Sequence, residues 1–161
     1  MNISHVPTPS GDRTLTLTRI FDAPRSLVFE AWTKNEHMDK WSAPHGFTIP
    51  ISEGDLRPCG KWRCVMIAPD GSRHAVHGVY REVVLNELLV FTHIWEEGDG
   101  APEHETVVTV RFSDEGDKTK MTLEQKTFRS VESRDGHEGG WSQGFEKLAE
   151  LLKQLQSKDK L

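Results

Sequence analysis

The sequence predicts an α+β fold: a curved antiparallel sheet of about seven strands wrapped around a long C-terminal helix, with two short helices after the first strand. Three observations carry this. Trp141, Phe145, Leu148, Leu152 and Leu155 fall at steps of four, three, four and three along Gly139 to Lys158, one face of a helix. From Thr48 to Thr127, apolar and polar residues alternate between turn signals such as Pro69-Asp70-Gly71. Ahead of that run lies a helix start, Asp22-Ala23-Pro24, followed by an apolar stripe. A helix of about 20 residues spans about 30 Å, the width of a small domain. Being apolar on one side only, it needs a large partner, and the strands supply one. Consecutive antiparallel strands build one sheet with one face solvated and the other covered. A long sheet curled around one helix encloses space, so a cavity between sheet and helix is expected.

Taken in order, residues 1–12 are expected as a flexible arm, with a single domain over residues 13–158. Arg13 to Phe21 alternates Leu15, Leu17 and Arg19 against three threonines, a half-buried strand. The helix opened by Asp22 and Pro24 reaches about Lys34, with Leu27, Val28, Ala31 and Trp32 on one face. Asn35 breaks it, and Glu36 to Trp41 forms a second short helix. Trp41 to Phe47 is a loop and Thr48 to Leu56 a strand. Lys61 to Ala68 turns Trp62, Cys64 and Met66 to one side. His74 to Val84 and Leu88 to Trp95 form a hairpin around Asn86, and Glu96 to Pro102 is an acidic loop. Glu105 to Phe112 and Lys120 to Thr127 form the last hairpin, with Val108, Val110, Phe112, Met121 and Leu123 on one face. Ser130 to Glu138 is a polar connector into the final helix. Gly144 lies on the apolar stripe of that helix one turn after Trp141, where glycine costs about 1 kcal/mol against alanine. That gap fits either room beside a cavity or tight packing against a strand.

Composition narrows the function classes. The 161 residues are 28% charged and 35% hydrophobic, ordinary for a soluble globular chain, with a formal charge of −5. An acidic balance argues against nucleic acid or an anionic membrane as partner. No apolar run approaches the roughly 20 residues of a membrane span, and the N-terminus has no signal-peptide core, so a cytoplasmic location is expected. The two cysteines, Cys59 and Cys64, are too few for a disulfide framework and lack zinc spacing. No nucleophile elbow, P-loop or dinucleotide fingerprint occurs, and no cofactor is expected.

The chain also resembles a known family. Ala23-Pro24 followed by Val28-Phe29 and Ala31-Trp32, then Trp41, Pro44, Gly46 and Phe47, then Arg57, Pro58, Cys59, Gly60, Trp62 and Met66 match its motifs in order. Cys59 stands where the family has the first of two glycines. Gly78-x-Tyr80-Arg81-Glu82-Val83, Leu89-x-Phe91-Thr92 and Gly140-Trp141 with Phe145 and Leu148 continue the match, over roughly residues 13–155. The family is the START-like (SRPBCC) superfamily, with the helix-grip fold of the birch-pollen allergen. Within it the sequence is most similar to the group named after the heat-shock chaperone ATPase activator. The resemblance implies the fold but not one function, since the superfamily includes carriers, receptors, cyclases and non-catalytic domains.

Candidate site residues follow from aromatic placement and strand parity. Of five tryptophans, Trp32 reads as helix core. Trp41, Trp62, Trp95 and Trp141 fall at a loop, two strand ends and the helix start, places that can ring a cavity. Rigid rings with one polar N–H suit an aromatic or amphipathic ligand. His74 and His77 are three apart on a strand, point to opposite faces and cannot chelate one ion, so no metal site is expected. A hairpin register centred on Asn86 puts His77 near Trp95. Two arrangements remain open: Tyr80 with Ile94 facing inward, or His77 with Phe91, His93 and Trp95. The family's preference for apolar residues at Leu89 and Phe91 favours the second. The expected lining is Trp41, Trp62, Met66, His77, Phe91, His93, Trp95, Trp141 and Phe145, with His93 and His77 orienting a polar ligand group. The favoured function is binding of a small hydrophobic or amphipathic molecule, with no catalytic residue assigned. An enzyme of cyclase, dehydratase or hydrolase type with His77 or His93 as proton carrier ranks second, lacking a carboxylate partner. A chaperone co-factor role ranks third, because about a dozen residues before the first strand leave no second N-terminal domain of the kind the eukaryotic activators carry. A monomer or a homodimer through an edge strand is compatible with the sheet.

Overall fold

In the computed structural model, residues 13–96 and 104–159 are described. The expected arm over residues 1–12 and all of the acidic loop but Glu96 lie outside them. The elements are β1 (Leu15–Phe21), α1 (Arg25–Thr33), α2 (Asn35–Trp41), β2 (Thr48–Gly54), β3 (Lys61–Ile67), β4 (Arg73–Val84), β5 (Leu88–Trp95), β6 (Glu105–Glu115), β7 (Lys118–Lys126) and α3 (Val131–Asp159). The strands form one sheet in the order β1-β7-β6-β5-β4-β3-β2, every neighbouring pair antiparallel. β1 therefore closes against the last strand, while β2 forms the opposite edge. This is the α+β helix-grip architecture that the sequence predicts.

The inner face carries the residues that period-two alternation selects. Leu15, Leu17 and Phe21 of β1, Leu89 and Phe91 of β5, Val108, Val110 and Phe112 of β6, and Met121 and Leu123 of β7 are all buried. Against them α3 sets Phe145, Leu148, Leu151 and Leu152, also buried. Each such side chain contributes about 1.5–3 kcal/mol on leaving water. Arg19 shares the inner face, with its guanidinium carbon 5.9 Å from the centre of the Phe145 ring and Nη2 3.3 Å from Ser142 Oγ. α1 and α2 bury Val28, Phe29, Ala31, Trp32, His37 and Trp41 against the same core.

Four local features differ from the sequence reading. The cap of α1 is Pro24 rather than Asp22, with Pro24 O accepting from Leu27 N and Val28 N. The break between α1 and α2 falls at Lys34, extended at φ −94° and ψ 126°, and Asn35 opens α2. α3 starts at Val131, so the expected connector over 130–138 is helix: Ser130 Oγ accepts from Ser133 N at 3.1 Å, a side-chain cap. Gly144 is a site of tight packing, against α2 rather than a strand. A Cβ there would stand 3.0 Å from Trp41 O.

The register of β4 on β5 decides which residues face inward. Tyr80 pairs with Phe91, but Glu82 pairs with Val90, leaving Arg81 as the extra residue of a bulge. Beyond it every partner is displaced by one residue, so His77 pairs with Ile94 and Val76 with Trp95. A one-residue slip exchanges the two faces of a strand. His77 therefore faces away from α3, while Tyr80 and Val76 share the inner face with Phe91, His93 and Trp95. Neither arrangement left open by the sequence is the observed one.

Candidate functional site: an aromatic cavity between sheet and helix

A cavity of about 430 Å³ lies between β3, β4 and β5, the Ser42–Phe47 loop, the ends of α1 and α2, and the first half of α3. Its size is that of small-molecule sites. β3 contributes Trp62, Cys64 and Met66; β4 contributes His74, Val76 and Tyr80; β5 contributes Leu89, Phe91, His93 and Trp95. Trp32, Met38, Pro44 and Phe47 close one side, and Gly136, His137, Gly140 and Trp141 of α3 the other.

Six of the nine expected lining residues, Trp62, Met66, Phe91, His93, Trp95 and Trp141, stand in this wall. Three stand elsewhere. Trp41 is fully buried beneath the wall, 4.7 Å from Trp32 between ring centroids, and donates its Nε1–H to Ala31 O at 2.9 Å. Phe145 packs against Trp41 and Phe21 in the core. His77 lies on the outer face, its Nδ1 3.2 Å from Glu96 Oε2. There Arg63 grips the same carboxylate at 2.8 and 3.0 Å. Arg63, helped by His77, holds the Glu96 carboxyl down to about 2.

The five indole N–H groups are all taken within the protein. Trp32 donates to Met121 Sδ at 3.1 Å, Trp62 to Thr92 O at 3.1 Å, Trp95 to His137 Nε2 at 2.8 Å and Trp141 to Gln125 Oε1 at 2.8 Å, beside the Trp41 bond above. The rings thus present apolar faces and edges to the cavity, and the N–H groups expected to serve a ligand serve the fold. Gly78 permits one of these bonds. A Cβ there would lie 2.6 Å from Trp62 Nε1 and 1.8 Å from Thr92 O, so only glycine lets the indole cross β4 and reach β5. Beside it Val79 N donates to the Thr92 hydroxyl at 2.8 Å. A second chain backs the wall: Gln125, fully buried, donates from Nε2 to Thr106 Oγ1 at 2.8 Å, and Thr106 donates to His93 O at 3.2 Å.

Two polar groups of the wall are left without such partners. The His93 imidazole is 7% exposed and ringed by Trp62, Trp95, His137 and Trp141 at centroid distances of 5.9, 5.4, 5.7 and 6.4 Å. Among the described residues no other residue hydrogen-bonds its ring, and the same holds for the Tyr80 hydroxyl. Loss of water, reinforced by His137, pushes the His93 imidazole down to about 3. Burial pushes the Tyr80 phenol and the Cys64 thiol each up to about 12. His137 is locked in one neutral tautomer: Nδ1–H donates to Ser133 O at 2.7 Å while Nε2 accepts from Trp95. Burial lowers its pKa too.

His137 escapes sequence reading because three glycines, Gly136, Gly139 and Gly140, disguise the helix around it. The apolar stripe extended back one turn from Trp141 would have reached it. Tyr80, weighed as facing inward with Ile94, is inward with Phe91, His93 and Trp95 instead, because of the bulge. Among the described residues no group of three or more His, Cys, Asp or Glu side chains is placed to hold a metal ion, and no helix is long and apolar enough to cross a membrane.

Comparison with known proteins agrees with this architecture. The family model described as Activator of Hsp90 ATPase homolog 1-like protein (AHSA1) matches residues 22–153. A solved protein of Chromobacterium violaceum is 26% identical over 87% of this chain and 96% of its own, with a TM-score of 0.81. An AHSA1 protein of Silicibacter pomeroyi is 26% identical over 87% and 97%, with a TM-score of 0.78. A protein of Mycobacterium smegmatis, 22% identical over 91% and 95%, shares the fold at a TM-score of 0.77. No curated protein matches the sequence. With its model matched from α1 into α3 and its motifs on the strands and helices that build the cavity, the chain belongs to the Activator of Hsp90 ATPase homolog 1-like family of the START-like superfamily.

Proposed function

We propose that this protein binds a small, largely apolar molecule in the cavity between the sheet and α3. The observation that carries the reading is a wall of aromatic rings in which two residues, His93 and Tyr80, have side-chain polar groups without hydrogen-bond partners among the described residues. Buried polar groups are ordinarily hydrogen-bonded, and a site built for a ligand leaves a few convergent ones for it. A proton-transfer enzyme is the weaker reading. An imidazole held neutral down to about 3 is a poor base at neutral pH, and no carboxylate is placed to activate it among the described residues. The family's name favours a chaperone co-factor role, and a pull-down against an Hsp90-type chaperone tests it directly.

Native mass spectrometry of the purified protein, set against its denatured mass, is the first test. A co-purified molecule released on denaturation is the expected result. If only the bare mass appears, titration with apolar probes follows, and a protein that gives no heat and no shift in Tm with any of them refutes the reading.

A further inference from the structure

Resting on that reading, we infer that the cavity takes uncharged molecules bearing a hydroxyl, an alcohol or phenol set against His93 and Tyr80, and rejects carboxylates of the same shape. The argument is one of charge. Five titratable side chains come from the inner faces of the sheet and α3: His74 is exposed and bonded to the Ser72 hydroxyl at 2.9 Å, and loss of water drives the other four, His93, His137, Tyr80 and Cys64, toward their neutral forms. A space that neutralises four different groups opposes an ionised ligand by the same physics.

Among the described residues no lysine lines the wall to offset that penalty. The one guanidinium on the wall, Arg63, is held in two hydrogen bonds by Glu96 on the outer face. The first turn of α3 reaches the wall at Ser133. Its N–H is already capped by Ser130 Oγ, and its carbonyl takes the His137 proton. Glu53, on the β2 side, would repel an anion. A hydroxyl suits what remains. It donates and accepts, as do a neutral imidazole and a phenol, so either tautomer of His93 is satisfied.

The test is a set of three ligands with one ring system. 2-Naphthol, 2-naphthoate and naphthalene are titrated into the full-length protein at pH 7.5 by calorimetry. The inference expects 2-naphthol to bind at least tenfold more tightly than 2-naphthoate, and more tightly than naphthalene. His93→Leu and Tyr80→Phe should each bring 2-naphthol down toward the affinity of naphthalene. Tyr80→Phe keeps the ring packing, so it reports even if His93→Leu fails to fold. Binding of 2-naphthoate as tight as that of 2-naphthol overturns this inference and leaves the cavity-binding reading intact. Naphthalene binding as tightly as 2-naphthol overturns the hydroxyl role. Binding of none of the three overturns both.

Discussion

Replacing His93 by glutamine should remove a large part of the acid sensitivity of this fold. In the folded protein His93 is 7% exposed and holds its imidazole neutral down to about 3, whereas in the unfolded chain it titrates near 6.5. Between these values the unfolded state binds a proton that the folded state refuses, so folding stability rises with pH. The contribution is complete above about 6.5 and falls as the pH drops toward 3, at about 1.4 kcal/mol per pH unit once below the unfolded value. Between pH 7.5 and 5.0 the loss from this one residue is about 2 kcal/mol, a large share of a typical 5–15 kcal/mol. His137 shifts in the same direction and adds to it. Glu96, depressed to about 2 by Arg63, adds stability that is present through this window and is lost as the pH falls below the ordinary carboxylate value. Urea unfolding followed by tryptophan fluorescence at pH 7.5 and 5.0, on wild type and His93→Gln, isolates the term. The wild type should lose about 2 kcal/mol more than the variant over that interval. Equal losses would mean that His93 is hydrated or protonated in the folded protein, and would refute the account of a dry wall.

Three further outcomes follow from particular contacts. Gly78→Ala places a Cβ 1.8 Å from Thr92 O and 2.6 Å from Trp62 Nε1. It should destabilise by about 3 kcal/mol, read as a lowered urea midpoint. Gln125→Leu leaves the Trp141 N–H without its acceptor, which should cost about 1–3 kcal/mol and lower Tm at neutral pH. Cys59→Gly should stabilise by about 0.5–1 kcal/mol in the same unfolding assay. Cys59 is exposed and sits at φ 70°, where relief of the left-handed strain outweighs the added entropy of glycine in the unfolded chain.

Much of the architecture is legible in one dimension because it depends on local periodicity. Leu15 and Leu17, the Val108–Phe112 and Met121–Leu123 faces, and the Phe145–Leu152 stripe follow from side-chain directions fixed within each element. Turn residues mark the hairpins, and Cys59 shows its position in the left-handed region only against the glycine of the family motif. The N-terminal half of α3 is hard to read because Gly136, Gly139 and Gly140 argue against helix locally, while the Ser130 cap and the Trp95–His137 bond favour it. Trp41 and Phe145 pass for cavity residues because aromatic placement at a loop and a helix start is shared by core and wall.

The class of fold, the order of its elements, the inner face of most strands and the presence of one long helix for the sheet to enclose are written in the linear pattern of residues. These depend on periods of 2 and 3.6 residues and on turn chemistry, which each segment carries alone. The make-up of the cavity depends instead on how the elements meet. The bulge at Arg81 sent His77 outward and Tyr80 inward, because a register is a property of two strands and not of either. Packing between α2 and α3 buried Trp41 and left Trp62, Trp95 and Trp141 around His93. Cross-element hydrogen bonds consumed every indole N–H, leaving His93 and Tyr80 as residues of the wall whose side-chain polar groups have no hydrogen-bond partner among the described residues.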